Sequence, residues 1–276
     1  SRSCNVDWLC SQMSANKIDF IGIGFRRCAT SWLNAMLSGH PAICKPPSGL
    51  HYFNDNYEMG KSWYINNINP DGIELLPHMR SGEFCTTYSY PKNAALVASR
   101  LKNDFPDVRI LASIRDPVER AYSDYLRSVR RGEMKNRGLR YAIKIDPALL
   151  RRGLYYPVIR LFQDAFGIEN VLVVTFDSIL RNPGFTLSRI FSFLGVNEHF
   201  RPFGFTEKMG ATYQPRIQNL ELLLRHIQKC GSRLLQRPGF NLLKDPVKGL
   251  VKSFRRLNCR TQAEDLVFKH ELRAIY

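Results

Sequence analysis

The sequence predicts an α/β fold of three layers, a central mainly parallel sheet flanked by helices within a single domain. Three observations carry that expectation. Short apolar runs rich in β-branched residues read as buried strands, and segments of helical periodicity lie between them. No Gly/Ser-rich or Pro-rich linker, low-complexity tract or internal repeat divides the 276 residues, which are enough for one substantial core.

Lys17–Gly24 (K-I-D-F-I-G-I-G) is the first strand, closed by glycines. A loop follows, and Thr30–Ser38 then carries Trp32, Leu33, Ala35, Met36 and Leu37 at spacings that suit a helix. Val108–Ile114 (V-R-I-L-A-S-I) is the second strand. Asp116–Arg130 is helical in pattern, with Pro117 in its first turn, where a missing N–H costs nothing. Asn170–Phe176 (N-V-L-V-V-T-F) is the third strand, between helical stretches at Tyr155–Phe166 and Phe185–Leu194, the latter stopped by Gly195. Residues 17–196 form the expected core, and 197–276 a basic, largely helical C-terminal part.

The formal net charge is +16, from 40 Lys and Arg against 24 Asp and Glu. Such an imbalance concerns partners, and points to anionic small molecules, acidic glycans or a membrane surface met by basic patches. Its dense runs are Arg127–Arg131, Arg151–Arg152 and Lys244–Arg260; no nucleic-acid-binding motif accompanies them, so no nucleic acid is expected. The seven cysteines (Cys4, Cys10, Cys28, Cys44, Cys85, Cys230, Cys259) form no C-x-x-C pair, and their odd number leaves at least one thiol unpaired. With no N-x-S/T acceptor, signal-like stretch or membrane-length apolar run, a cytoplasmic location is expected. The alternative is a luminal domain parted from its anchor, since the chain opens without Met.

Two segments carry chemistry. In G24-F-R-R-C-A-T-S-W-L33 a strand runs through a loop into a helix N-terminus, where orphan N–H groups and the helix dipole favour an anion. Arg26 and Arg27 add permanent charge, and Thr30 and Ser31 add hydroxyls. The topology is P-loop-like, but Ala29 and Thr30 stand where G-x-x-x-x-G-K-(S/T) requires Gly and Lys, which argues against a nucleotide kinase. In I114-R-D-P-V-E-R-A-Y-S123, Arg115 sits at a strand's carboxyl end, where open α/β sheets bind ligands, and Ser123 lies two helical turns further on.

Two anion sites on strand ends suit a nucleotide phosphorylated at both ends of its ribose, and here the sequence resembles the PAPS-dependent sulfotransferases. The first loop is similar to that family's 5′-phosphosulfate loop, and R-D-P-V-E-R-A-Y-S to its 3′-phosphate segment. Further similarity lies in L37-S-G-H-P41, H51-Y-F-N54, G82-E-F-C-T-T-Y88, G153-L-Y-Y156, N170-V-L-V-V-T-F176 and R181-N-P…F193-L-G195, and more faintly in Y213-Q-P-R216. The pattern is nearest the carbohydrate (heparan-sulfate-type) and tyrosyl-protein branches. The resemblance implies PAPS as donor and PAP as product, held by Arg26, Arg27, Cys28, Ala29, Thr30, Ser31, Trp32, Arg115, Ser123, Tyr213 and Arg216, with no metal required. It implies in-line sulfuryl transfer to a hydroxyl or amine of a glycan or glycoconjugate, an acidic one on charge grounds.

Three positions depart from the family's pattern. Arg27 replaces the usual Lys and Ala29 the usual Gly, while Gly49 stands where glycan-type relatives carry Glu, two residues before His51. Arg27 is the expected stabiliser of charge on the bridging and leaving oxygens; an always-charged guanidinium cannot serve as a general acid. With Gly49 lacking a carboxylate, the candidate bases are His51 and Glu83, and Tyr155 and Tyr156 join His51 on the expected acceptor side. The runner-up to an enzyme is a catalytically impaired relative that binds nucleotide or polyanion.

Overall fold

The computed structural model describes residues 17–69, 75–207, 214–215, 218–234, 259–260 and 263–273. In chain order the first elements are β1 (Phe20–Gly24), α1 (Thr30–Ser38), α2 (Gly60–Ile68), β2 (Gly82–Phe84), α3 (Ala94–Asp104) and β3 (Arg109–Ile114). Then come α4 (Pro117–Arg131), α5 (Leu139–Ile145), α6 (Ala148–Arg151), α7 (Tyr155–Phe166), β4 (Val171–Thr175), α8 (Phe176–Arg181) and α9 (Pro183–Leu194). The last are β5 (Gln214–Pro215), α10 (Gln218–Leu234), β6 (Cys259–Arg260) and α11 (Ala263–Arg273). They fall into two compact units, one within residues 1–116 and 154–210 and the other within 117–153 and 211–276. No linker composition marks Asp116 or Leu154.

The first unit holds the four-stranded sheet, in the order β2-β1-β3-β4 with every pairing parallel. Successive side chains of a strand point to opposite faces, so one apolar run feeds two cores. Ile21, Ile23, Ile110 and Ala112 face α2, α3 and α7, where Tyr64, Val97, Leu101, Val158 and Phe162 are buried. Phe20, Phe84, Leu111 and Val174 face α1, α8 and α9, with Trp32, Leu33, Leu37, Leu187 and Phe191. Covering both faces produces the three layers and explains why these strands read as continuous apolar runs rather than as alternation. Two glycines let β1 and β2 approach: a Cβ on Gly82 would stand 2.1 Å from the Phe20 carbonyl oxygen, and one on Gly22 would stand 2.2 Å from the Phe84 ring.

The second unit is mainly helical. Its core joins Val118, Tyr125, Leu126 and Val129 of α4 to Leu139, Ala142, Leu149 and Leu272. Arg120 is fully buried on α4 and needs partners there. Its guanidinium reaches Asp124 at 3.4 Å and donates to the Leu149 carbonyl, and Arg152 bridges Asp124 at 3.2 Å and Asp146 at 3.4 Å. The basic run Arg151–Arg152 is therefore partly internal structure. The Gln218 amide caps the end of α4 by donating to the Val129 and Met134 carbonyls.

Candidate active site

The chain passes from β1 outward to β2, then crosses back to β3 on the other side of β1. The carboxyl ends of β1 and β3 thus flank the point where strand order reverses, and open α/β sheets take ligands at that crevice. Two hydrogen bonds knit the ends together: the Phe25 N–H donates to the Ser113 carbonyl at 2.8 Å, and the Ser113 hydroxyl to the Gly24 carbonyl at 3.2 Å. The loop after β1 and Arg115 after β3 consequently share one edge of the sheet.

That loop turns tightly. Arg27 (φ 71°) and Ala29 (φ 65°) are both left-handed, and the Cys28 N–H closes back onto the Phe25 carbonyl at 3.2 Å. Ala29 is the N-cap of α1 and supplies no side-chain acceptor to the helix. The first-turn N–H groups of α1 lie beyond the reach of intrahelical bonding, and alternating backbone handedness of this kind is what curls successive N–H groups toward a shared anion in general. Arg26 donates to the Tyr90 hydroxyl at 3.1 Å, which ties it to the loop that follows β2. Ser31 is exposed, Thr30 is partly buried and Cys28 is buried. Trp32 belongs to the core: its indole N–H donates to the Phe205 carbonyl at 3.1 Å. The loop thus sets two arginines next to a helix start.

Arg115 is held at both ends. Its guanidinium carbon lies 4.4 Å from the centroid of the Phe176 ring, and its carbonyl accepts from the Tyr155 hydroxyl at 2.7 Å. The Tyr155 ring meets the Phe25 ring edge-on at 4.7 Å, and its hydroxyl lies 3.8 Å from the Cys28 sulfur. Tyr155 was expected on the acceptor side; here its hydroxyl bonds the scaffold between the two segments. Tyr156, by contrast, is 76 % exposed. Ser123 is buried on α4 of the second unit. Tyr213 and Arg216 lie outside the described residues.

His51 (φ 55°) sits in a polar cluster. Its Nδ1 is 3.0 Å from Thr87 Oγ1, 3.6 Å from the Asp55 carboxylate and 3.7 Å from the Cys85 sulfur, and Thr87 donates onward to Asn54 Oδ1 at 3.4 Å. The carboxylate favours a proton on Nδ1, which leaves Nε2 as the nitrogen with a lone pair. A Cβ on Gly49 would stand 3.3 Å from that Nε2. Gly49 itself has φ 75°, a conformation in which a Glu would be strained.

Glu83 has a different setting. It is 0 % exposed, and its Oε1 accepts from the hydroxyls of Tyr88 at 2.5 Å and Tyr64 at 3.1 Å. Burial pushes its pKa up to about 7, against the opposing hydrogen bonds from Tyr88, Tyr64 and the Leu50 backbone. Its bonded neighbours are core tyrosines, so it serves the aromatic cluster under β2. Thr87, Tyr90, Asn54 and Asp55 were not singled out from sequence, although Thr87 and Asn54 fall in segments quoted for the resemblance. Phe176 ends another quoted segment, but its pairing with Arg115 left no local signal, because it joins residues that follow two different strands. Among the described residues no group of three or more His, Cys, Asp or Glu could hold a metal ion.

A helix-opening loop without the P-loop lysine, set beside a strand-end arginine at the switch point of a parallel sheet, defines a P-loop-like α/β domain suited to an anionic nucleotide. The sulfotransferase domain family matches residues 17–203. The chain belongs to that family, the PAPS-dependent sulfotransferases. It is 27 % identical over 187 residues to the Homo sapiens heparan sulfate glucosamine 3-O-sulfotransferase 5, covering 63 % of this chain and 52 % of the relative. It is 25 % identical over 185 residues to the Homo sapiens heparan sulfate glucosamine 3-O-sulfotransferase 6, covering 63 % and 51 %. The chain thus spans about half the length of the curated relatives it matches. In fold it is similar to a sulfotransferase from Alicyclobacillus acidocaldarius, with a TM-score of 0.57, 24 % identity and coverage of 80 % of this chain and 95 % of that one.

Proposed function

We propose that this chain moves the sulfuryl group of PAPS onto a hydroxyl of a glycan or glycoconjugate. The observation that carries the proposal is the pairing of β1 with β3, which sets the Arg26–Ala29 loop and Arg115 on one sheet edge. The loop and the α1 N-terminus would take the 5′-phosphosulfate and Arg115 the 3′-phosphate. For Ser123 the assignment to that phosphate rests on its place in the motif. Arg27 would stabilise negative charge as the sulfur–oxygen bond to the phosphate breaks. His51 Nε2 would take the acceptor's proton as the new oxygen–sulfur bond forms, with Nδ1 held by Thr87 and Asp55. His51 is the titratable group left where glycan-type relatives place a carboxylate, since Gly49 has no side chain.

The heparan sulfate relatives and the excess of basic residues support an acidic glycan as acceptor, and the same charge would serve a glycolipid at a membrane surface. A second reading, nucleotide or polyanion binding without transfer, draws on Gly49. Calorimetry with PAP in the absence of metal tests the donor site: wild type should bind, and Arg115→Ala should lose most of that affinity with the charge-assisted contact. Transfer of labelled sulfate from PAPS to a panel of heparan, chondroitin and neutral glycans separates the readings. Tight PAP binding with no transfer to any acceptor would leave the binder.

A further inference from the structure

Tyr155 and Phe176 stand outside the groups that would touch the donor, yet both meet Arg115. Arg115 follows the last residue of β3, where the backbone leaves the sheet and ladder bonding no longer fixes it. The Tyr155 hydroxyl reaches it from the first turn of α7 and donates 2.7 Å to its carbonyl. The Phe176 ring, first residue of α8 after β4, lies 4.4 Å under its guanidinium. Tyr155 is itself fixed by its edge-on contact with Phe25, at 4.7 Å and 70°. A long arginine side chain loses rotamer freedom when it is immobilised, so a clamp that restricts it beforehand favours anion binding.

From this geometry we infer that Tyr155 and Phe176 are positioning residues that hold Arg115 for the nucleotide's 3′-phosphate. The inference rests on the donor-site reading above. It makes the two residues determinants of preference for a 3′-phosphorylated nucleotide over one lacking that group. The Tyr155 hydroxyl also lies 3.8 Å from the Cys28 sulfur, but a thiol is a weak hydrogen-bonding partner, so the 5′ loop depends less on that hydroxyl than the Arg115 backbone does.

The test compares PAP with adenosine 5′-monophosphate, which differs from it only in the 3′-phosphate, by calorimetry on the full chain. Tyr155→Phe keeps the ring against Phe25 and removes only the hydroxyl. It should weaken PAP roughly tenfold and leave adenosine 5′-monophosphate within about twofold. Phe176→Leu should weaken PAP roughly threefold with the same selectivity, and Phe176→Tyr, which restores a ring, should recover wild-type affinity. In turnover, Tyr155→Phe should raise the donor KM while kcat holds. Equal losses on both ligands, or no loss on PAP, would overturn the inference while the donor site stands. If wild type itself shows no preference for PAP, the 3′-phosphate assignment of Arg115 fails, and the positioning role falls with it.

Discussion

Replacing Glu83 with Gln asks whether a buried carboxyl stores pH-dependent stability in the aromatic core. Gln keeps the shape and an oxygen able to accept from Tyr64 and Tyr88 but cannot ionise. In the folded protein burial raises the Glu83 pKa from 4.5 to about 7. An acid whose folded pKa lies above its unfolded value binds more protons when folded. Its stabilising contribution is therefore complete below about pH 4.5 and is lost as pH climbs toward 7 and slightly beyond. At 1.36 kcal/mol per tenfold change in proton affinity, that rise corresponds to about 3 kcal/mol. For a chain of this size it amounts to roughly 6–12 °C in Tm. The assay is a set of urea melts of wild type and Glu83→Gln at pH 5, 6, 7 and 8. All other titrating groups cancel in the difference, which should shift by about 3 kcal/mol in favour of the variant as pH rises. Parallel stability profiles would refute the raised pKa and with it the account of Glu83 as a core group.

Ala29→Gly should stabilise the chain by about 0.5–1 kcal/mol, because the left-handed φ of 65° costs Ala more than Gly gains in unfolded-state entropy; a lower urea midpoint would count against the loop geometry. Gly82→Ala should destabilise by about 3 kcal/mol or more, since its Cβ would meet the Phe20 backbone oxygen at 2.1 Å and backbone cannot rotate away; a melt within about 1 kcal/mol of wild type would exclude that β1–β2 approach. Arg27→Ala should lower kcat by more than tenfold beyond its effect on PAP affinity, and equal losses in the two would deny it a transition-state role. His51→Gln should lower kcat by more than tenfold while PAP affinity holds; an unchanged kcat would assign the base elsewhere.

The sheet was legible because strands covered on both faces need apolar side chains at nearly every position. Lys17–Gly24, Val108–Ile114 and Asn170–Phe176 contain β1, β3 and β4 with ends misplaced by no more than a turn, and the helix expected at Thr30–Ser38 is α1 residue for residue. The short strand β2 was visible only through resemblance, since three residues carry no periodicity. The division into two units left no trace in composition: no Gly-, Ser- or Pro-rich linker stands at Asp116 or Leu154.

Local sequence determined the chemical inventory: a loop that must open a helix, arginines at strand ends, and a glycine where relatives carry a carboxylate. Tertiary structure decided which of those groups act together. Strand order put Arg115 beside the β1 loop, and packing set the Tyr155 hydroxyl on the Arg115 carbonyl and the Trp32 indole N–H on the Phe205 carbonyl. Folding also buried Glu83 among tyrosines and gave His51 its partners Thr87 and Asp55. Each of these outcomes depends on contacts between residues far apart in the chain. No periodicity or motif encodes such contacts, because they follow from how the layers stack.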